Sequence, residues 1–525
     1  MSTANSQKRN LESMLEREQI ANRKKHWVRA VTACNSKCLF CLDADTPRNV
    51  YLDEAVVKAD LRKGREELNA DKVIISGGEA SLHPLFPEFI RYAKEIGYDR
   101  VQTVTNGTQY ADKGFYENCV QAGLGEITFS LHGNTPKLHD YLTQTPGCFN
   151  KLMKALIRSV RDRRVITNVD VVINKQNVGV LDKIVELAIS VGVTEFDLLH
   201  VIPQSNAYRN RDEMFYDVRE YLPILQKVFR LNRHPRFYIW TNRFPVSYLE
   251  GLEDLIQDPH KMLDEVNGRR FQVRRYLDEG TPLDCREPDR CKHCFIEPFC
   301  NTVDNMIDAQ HNETWTTWWV DDPREEIPNP LPYGCTRVGV RTKSLADLRE
   351  LDVPDGAGLT VALDTAESTP NDTDLELIAT SSDQLDAWLG EGTGGNVQIR
   401  IELNKATAAW MLAHRDKVEQ AIDRLHLHQP SHEKMTDAVT KDVRNPRTFF
   451  DELKLPIRTS GLPPCMAPWT KISDSPADLH ANLFDKETGR LKIRPLARYH
   501  VENRYHGKSV RCADCRVNDR CEGIP

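Results

Sequence analysis

Cysteine is the residue type whose spacing indicates chemistry in this 525-residue chain. The chain has 14 cysteines, and eleven of them fall into three short groups. The groups are Cys34, Cys38 and Cys41; Cys285, Cys291, Cys294 and Cys300; and Cys465, Cys512, Cys515 and Cys521. Persistent disulfides are rare in a reducing cytosol, so thiols clustered in this way are typical of thiolate ligands for iron–sulfur clusters or zinc.

The first group has the spacing C-x3-C-x2-C between Cys34 and Cys41. Three thiolates from one such loop can hold three irons of a [4Fe–4S] cluster and leave the fourth iron open to a substrate or cofactor. The loop follows the first predicted β-strand, and barrel-like α/β proteins gather their reactive groups at the carboxyl ends of their strands. The position therefore predicts a cofactor site.

The second and third groups share a C-x2-C-x5-C core, which occupies residues 291–300 and 512–521 and follows an arginine each time. One upstream cysteine, Cys285 or Cys465, would complete a four-thiolate site in each case. Cys335 is an alternative fourth ligand for either site, because metal ligands need not be adjacent in sequence. On spacing alone, structural zinc ribbons are the alternative to iron–sulfur clusters.

The elements that must position the first group have an α/β pattern. From about residue 26 to 202, short β-type runs alternate with amphipathic helical stretches, which predicts parallel strands joined by crossover helices. The predicted strands are His26–Thr32, Lys72–Ser76, Val101–Thr105, Glu126–Leu131, Asn168–Ile173 and Glu195–Val201. Six βα units over ~180 residues suit a partial (β/α)6 TIM-like barrel, because the full eight-unit barrel typically needs ~250 residues.

Polar groups follow several of these strands. The second strand ends in Ser76-Gly77-Gly78-Glu79, where glycine lets the backbone approach a ligand closely and the carboxylate can take an ammonium group. Thr105-Asn106-Gly107 ends the third strand, and Ser130 and Asn174 lie at the ends of the fourth and fifth. Three histidines in the barrel could move a proton or serve the structure alone: His83, His132 and His200.

This order of motifs resembles the radical S-adenosylmethionine (SAM) superfamily. The hallmark loop of that superfamily stands here as Cys34-Asn-Ser-Lys-Cys38-Leu-Phe40-Cys41, and the Gly-Gly-Glu follows the second strand. Phe40, directly before the last cysteine, matches the family position that lies near the adenine of SAM. The resemblance covers about residues 26–202, and residues 134–149 look like the segment after the fourth strand in peptide-modifying members.

The resemblance implies a [4Fe–4S] cluster that binds SAM through its amino and carboxylate groups and cleaves it to a 5′-deoxyadenosyl radical, which abstracts a substrate hydrogen. The cluster ligands would be Cys34, Cys38 and Cys41. The other implied cofactor contacts are Phe40 and the Val201 backbone at the adenine, Gly77, Gly78 and Glu79 at the methionine amino group, Ser130 and Asn174 at the ribose or carboxylate, and Asn106 in the turn after the third strand.

The later cysteine groups resemble the auxiliary-cluster extensions known as SPASM and twitch domains, which carry extra [4Fe–4S] clusters and often act in peptide maturation. Those extensions usually keep their ligands in one compact module, whereas the two groups here stand far apart in the chain. The resemblance implies one catalytic and two auxiliary clusters, an electron donor of the flavodoxin or ferredoxin type, and a peptide or ribosomally made precursor as substrate. The alternatives are a sugar, amino acid or other small-molecule substrate, a zinc-stabilised scaffold without catalysis, and a dithiol redox protein.

Five segments are expected along the chain. They are an N-terminal helix or tail at 1–25, the radical SAM partial barrel at 26–235, an auxiliary-cluster domain at 236–335, an α+β domain of unknown role at 336–460, and a cysteine-rich C-terminal module at 461–525.

The net charge of −7 gives no general attraction to nucleic acid or anionic membranes. The chain has no run of ~20 apolar residues and no apolar signal core near its start. We therefore expect a cytoplasmic protein without a nucleic-acid or membrane partner.

Overall fold

The computed structural model describes residues 24–252, 255, 258–312, 315–367, 374–389, 397–432 and 434–524. Residues 1–23, and with them nearly all of the predicted N-terminal helix or tail at 1–25, lie outside the described residues. The chain divides into two compact units. The first unit comprises residues up to 261 together with 285–295, and the second comprises 262–284 together with 296 onwards.

The first unit contains a seven-stranded parallel sheet whose strands follow one another in chain order, which makes an open β/α barrel. Its strands are β1 Lys25–Val31, β2 Lys72–Gly77, β3 Arg100–Thr105, β4 Leu124–Ser130, β5 Ile166–Ile173, β6 Glu195–His200 and β7 Tyr238–Asn242. The six predicted strands and the α/β partial-barrel class are confirmed. Strand β7 extends the sheet beyond the predicted (β/α)6 pattern.

Most helices lie between consecutive strands, and the last one follows the final strand. In chain order they are α1 Glu54–Glu66, α2 Phe86–Glu95, α3 Lys113–Gln121, α4 Pro136–Thr143, α5 Cys148–Arg161, α6 Leu181–Val191, α7 Ser205–Arg209, α8 Arg211–Met214, α9 Val218–Phe229, α10 Asp258–Gly268, α11 Arg270–Glu279, α12 Pro288–Cys291, α13 Glu297–Asn312, α14 Ser382–Leu389, α15 Lys405–Ala413, α16 Arg415–Gln420, α17 Met435–Lys441, α18 Pro446–Leu453 and α19 Ile493–Asn503. Amphipathic spacing explains their packing: Phe86, Phe89, Ile90 and Ala93 recur at helical intervals in α2 and are buried against the first sheet. No helix among the described residues is long and apolar enough to cross a membrane.

The second unit contains a nine-stranded sheet in which every pairing is parallel, in the order β15-β14-β13-β12-β11-β10-β9-β8-β16. Its strands are β8 Thr317–Val320, β9 Arg337–Thr342, β10 Gly358–Leu363, β11 Leu375–Ala379, β12 Gln398–Glu402, β13 Leu425–His428, β14 Arg458–Ser460, β15 Lys471–Ile472 and β16 Asp478–His480. Arg400 on β12 donates a 2.8 Å hydrogen bond to Asp478 on β16. In a flat sheet these strands would stand about 24 Å apart, because neighbouring strands are spaced by about 4.8 Å. The sheet must therefore curl, which makes a second β/α barrel.

This second barrel does not follow the predicted segment boundaries. Strands β9 to β14 fall within 336–460, β15 and β16 fall within 461–525, and β8 precedes both. The region predicted as α+β thus has parallel strands with helices between them, and it shares one sheet with the cysteine-rich C-terminal segment. The strands here are short and carry charged residues such as Arg400 that face the barrel interior, so they lack the continuous apolar runs by which buried parallel strands are recognised.

Candidate active site

The end of β2 supports the C-x3-C-x2-C loop of residues 34–41, called the cysteine loop below. The backbone N–H of Gly78 donates to the carbonyl of Val31 at 3.1 Å, and that of Glu79 donates to the carbonyl of Ala33 at 2.8 Å. A Cβ atom at Gly78 would collide with the carbonyl oxygen of Ala33. Glycine is therefore required at this position, because only its missing side chain lets the two backbones lie this close.

Glu79 is buried at the same strand end, with 1% of its surface exposed. Its carboxylate accepts hydrogen bonds from the Ser81 hydroxyl at 2.5 Å, the Thr105 hydroxyl at 2.8 Å and the Asn106 backbone N–H at 2.8 Å. Burial raises the pKa of Glu79 above its ordinary value, while these donors lower it. The carboxylate thus joins the ends of β2 and β3, and its predicted contact with the methionine amino group stays a prediction.

Asn106, at the end of β3, reaches into the cysteine loop. Its side-chain amide donates to the Asn35 side chain at 2.6 Å and to the Ser36 hydroxyl at 3.3 Å. The Asn35 amide in turn donates to the Thr108 hydroxyl at 2.7 Å. The residue predicted to contact the cofactor therefore also fixes the loop that would carry it.

Helices hold the opposite side of the cysteine loop. The Leu39 N–H donates to the carbonyl of Leu142 in the last turn of α4 at 2.9 Å. The side-chain amides of Asn206 and Asn210 donate to the carbonyls of Cys38 and Leu39 at 3.0 and 2.9 Å. The loop is therefore fixed from two directions before any cofactor binds.

The three thiols of the cysteine loop lie close enough to influence one another. Burial raises the pKa of Cys34 to about 11 and raises those of Cys38 and Cys41, and the neighbouring Cys34 and Cys41 raise the pKa of Cys38 further. No group of three Cys, His, Asp or Glu side chains in the described part of the chain surrounds a single-ion position. A [4Fe–4S] cluster takes its thiolates at separate irons. Three neighbouring thiols on one well-supported loop fit that group.

Phe40 and Val201 lie in one apolar cluster, and their predicted place beside the adenine stays a prediction. Both are buried in one apolar cluster with Met214 and Phe215. The Phe40 ring stands edge-on to the His132 ring, with centroids 4.7 Å apart. The backbone N–H of Val201 donates to the carbonyl of Ile173 at 3.1 Å, so β5 and β6 stay paired up to this point.

A buried carboxyl group on β5 was missed by sequence reasoning. The Ser130 hydroxyl donates to Asp170 at 2.7 Å, and the Asn242 amide donates to Asp197 on the neighbouring strand. Burial raises the pKa of Asp170 to about 7, and the nearby Asp197 raises it too. The signal was present in the alternation of β5, where Asp170 stands between the apolar Val169 and Val171.

Asn174 and the histidines have structural partners. Asn174 is fully buried, and its amide donates to the Val172 carbonyl at 3.0 Å within a tight turn. His83 lies 3.0 Å from the Leu52 carbonyl. His132 accepts a 3.2 Å bond from the Val172 N–H, and His200 lies 3.2 Å from the Tyr216 hydroxyl. These contacts offset the cost of burying the polar side chains. The predicted contact of Asn174 with the ribose or carboxylate stays a prediction.

The second cysteine group spans both units. Cys285, Cys291 and Cys294 belong to the first unit, where the Cys291 thiol donates to the Cys285 carbonyl at 3.9 Å and the Cys294 N–H donates to the Cys291 carbonyl at 2.7 Å. Cys300 lies on α13 in the second unit. Cys335, the alternative fourth ligand, is buried in the second unit, and burial raises its pKa to about 12.

The third group gathers around Cys465. Burial raises the pKa of this thiol, and Cys521, Cys512 and Cys515 raise it further by their charge. These influences indicate that the upstream cysteine lies near the C-x2-C-x5-C core. The assignment of these residues as ligands stays a prediction.

Comparison with known proteins matches part of the first unit to a family model. Residues 28–188 match the family model of the radical SAM superfamily. A Saccharolobus islandicus protein named "Probable GTP 3′,8-cyclase" is 24% identical over 213 residues, which cover 39% of this chain and 68% of that protein. A Sulfurisphaera tokodaii protein of the same name is 25% identical over 229 residues, covering 43% and 70%. Streptococcus suis SuiB bound to precursor peptide SuiA aligns with a TM-score of 0.37 and 15% identity. The alignment covers 48% of this chain and only 56% of SuiB.

Residues 28–188 are therefore a radical SAM superfamily domain. The protein is an enzyme of the radical SAM type, and this family implies a [4Fe–4S] cluster and SAM as cofactors. The SPASM or twitch assignment, the number of auxiliary clusters and the single site residues stay predictions.

Proposed function

We propose that this enzyme cleaves SAM reductively at the cysteine loop and uses the resulting 5′-deoxyadenosyl radical to abstract a hydrogen atom from its substrate. The observation that carries the proposal is the support of the loop from two sides. Asn106 holds it from the end of β3, and Asn206 holds it from α7. Such rigid support keeps reacting groups in a productive geometry.

The residues of the chain would bind and orient the reactants. When a [4Fe–4S] cluster and SAM are bound, they supply a one-electron cleavage of a carbon–sulfur bond, which releases methionine and leaves the radical on the adenosyl carbon. Cys34, Cys38 and Cys41 would hold the cluster. Phe40 and the backbone of Val201, both buried, would contact the adenine.

The later cysteines would hold auxiliary [4Fe–4S] clusters. The gathering of three thiols around Cys465 supports one such site, and Cys285, Cys291, Cys294 and Cys300 are the proposed ligands of the other. Fully ligated clusters serve electron transfer or structure rather than direct substrate binding. A flavodoxin-like or ferredoxin-like protein is the proposed electron donor.

The proposed substrate is a peptide or ribosomally made precursor, because two additional C-x2-C-x5-C groups follow the radical SAM domain. A small molecule is the second candidate, and the similarity to proteins named "Probable GTP 3′,8-cyclase" favours it. The two candidates can be separated with an extract of cells grown in D₂O and divided by ultrafiltration. Each fraction is incubated with the enzyme and SAM. Deuterium will appear in 5′-deoxyadenosine only in the reaction whose fraction contains the substrate.

The reaction itself is tested without the substrate. Protein purified without oxygen and loaded with iron and sulfide is mixed with SAM and dithionite, and 5′-deoxyadenosine is quantified. We expect product from the wild type and none from Cys38→Ala. Cys119→Ala, which removes a buried thiol outside the three groups, is the matched control and retains product. Absence of product from wild-type protein with its full iron content would refute the proposal.

A further inference from the structure

The carboxyl end of the second barrel contains a large cavity. Its volume is about 830 Å³, and it is lined by residues at or just after the ends of β8 to β13 and by β16. Cavities of this size accommodate small-molecule ligands, and β/α barrels place their active sites at this end. None of the cysteine groups lines it.

The barrel interior beneath the cavity is polar, which is unusual. In most β/α barrels, layers of Val, Ile and Leu fill this space. Here Arg400 is almost fully buried, with 8% of its side chain exposed, and it pairs with Glu376 at 2.7 Å and with Asp478 at 2.8 Å. Arg400 and Asp478 line the cavity, and these contacts pair the buried guanidinium with two carboxylates.

Glu402, at the end of β12, is different because its partly buried carboxylate has no direct partner among the described residues. In the part of the chain that the structure describes, no hydrogen bond or ion pair reaches its carboxylate, which lines the cavity. Burial raises the pKa of Glu402, although Arg341 and Arg400 lower it. Burying a carboxylate without a direct partner is costly, so a ligand cation that paired with it would gain free energy.

The remaining lining indicates what else the ligand contains. Six carboxylates face four Lys and Arg side chains around the cavity, so its formal charge favours a cation over an anion. One wall is apolar: Trp319 packs with Ala362 and Ile378, and the His480 ring stacks on Trp319 at 5.7 Å. Burial lowers the pKa of His480, which favours the neutral ring. A short aliphatic chain fits against this wall.

We propose that the cavity is a second ligand site, which binds a small organic cation through Glu402 and packs its aliphatic part against Trp319. The ligand class is an aliphatic amine or guanidine. The site belongs to the second unit and does not depend on the proposed SAM chemistry.

The test is isothermal titration calorimetry of the full chain with agmatine and lysine as probes, beside glutarate and inorganic phosphate. We expect at least one of the two cations to bind more tightly than both anions. Glu402→Gln should weaken that binding about tenfold or more, and Glu402→Asp, which keeps the charge, should retain part of it. Glu419→Gln, on the exposed side of α16, is the matched control and should bind like the wild type.

Two further measurements keep the result unambiguous. Circular dichroism shows whether each variant is folded, and Cys38→Ala should bind the same cation as the wild type, because the site is independent of the cysteine loop. The proposal is overturned if neither cation binds, if an anion binds more tightly, or if folded Glu402→Gln binds like the wild type.

Discussion

The side chain of Asn106 donates a 2.6 Å hydrogen bond to Asn35, which joins the end of β3 to the interior of the cysteine loop. The backbone N–H of Asn106 donates at the same time to Glu79, at the end of β2. One residue thus connects two strand ends to the proposed cluster ligands. Asn106 is therefore proposed to position the loop in addition to any contact with SAM.

Replacement of Asn106 by Ala should lower 5′-deoxyadenosine formation about tenfold while iron content stays near that of the wild type. The loss of one or two hydrogen bonds to the loop costs about 1–2 kcal/mol, which corresponds to about one order of magnitude in rate. Product and iron per chain are measured on the same preparation. Asn118→Ala, at an exposed position of α3, serves as the control. Unchanged product formation would show that the loop does not need this support.

Asp170 should make the stability of the first unit depend on pH. Its pKa rises from 3.8 to about 7 because it is buried, so the folded protein holds this proton to a higher pH than the unfolded chain does. The contribution of Asp170 to the free energy of unfolding is complete below pH ~4 and is lost as the pH rises to ~7. The total loss is at most about 4 kcal/mol. Relative to Asp170→Asn, the wild type should therefore lose thermal stability across this window. A difference in Tm that stays flat from pH 4 to 7 would contradict the expectation, and exposed Asp99→Asn controls for the substitution itself.

Cys465→Ser should remove the iron of one auxiliary cluster, about four irons per chain. The reason is that three other cysteines of its group act on this thiol, which places all four near one another. The charged group that acts on Cys335 is instead Asp478, so Cys335→Ser should keep the full iron content. Iron analysis and Mössbauer spectra of both variants measure the outcome. Loss of iron from Cys335→Ser alone would reverse the assignment of the fourth ligand.

The first barrel could be predicted from sequence because local patterns determine it. Strands such as Leu124–Ser130 alternate apolar and polar residues, and the C-x3-C-x2-C spacing is read directly from the chain. The contacts that hold the cysteine loop could not be predicted in this way. Asn206 reaches the Cys38 carbonyl across 168 positions, and no local pattern records such a pairing.

The second barrel escaped prediction for a related reason. Its shortest strand has two residues, and Arg400 occupies a position where a buried parallel strand usually carries an apolar side chain. The charge is tolerated only because Glu376 and Asp478, on two other strands, lie beside it in the folded barrel. The sequence of β12 alone does not show those partners.

Arg400→Met tests whether this ion triad closes the second barrel. The substitution keeps the length of the side chain but leaves two carboxylates buried without their cation, and breaking a buried ion pair in this way costs about 3–5 kcal/mol. We expect a lower Tm and faster hydrogen exchange in β11, β12 and β16, with the first unit unaffected. Arg324→Met removes an exposed partner of Asp322 in the same unit and should change stability little, because exposed ion pairs are weak. Equal stability of the two variants would mean that packing, not the triad, holds the curled sheet together.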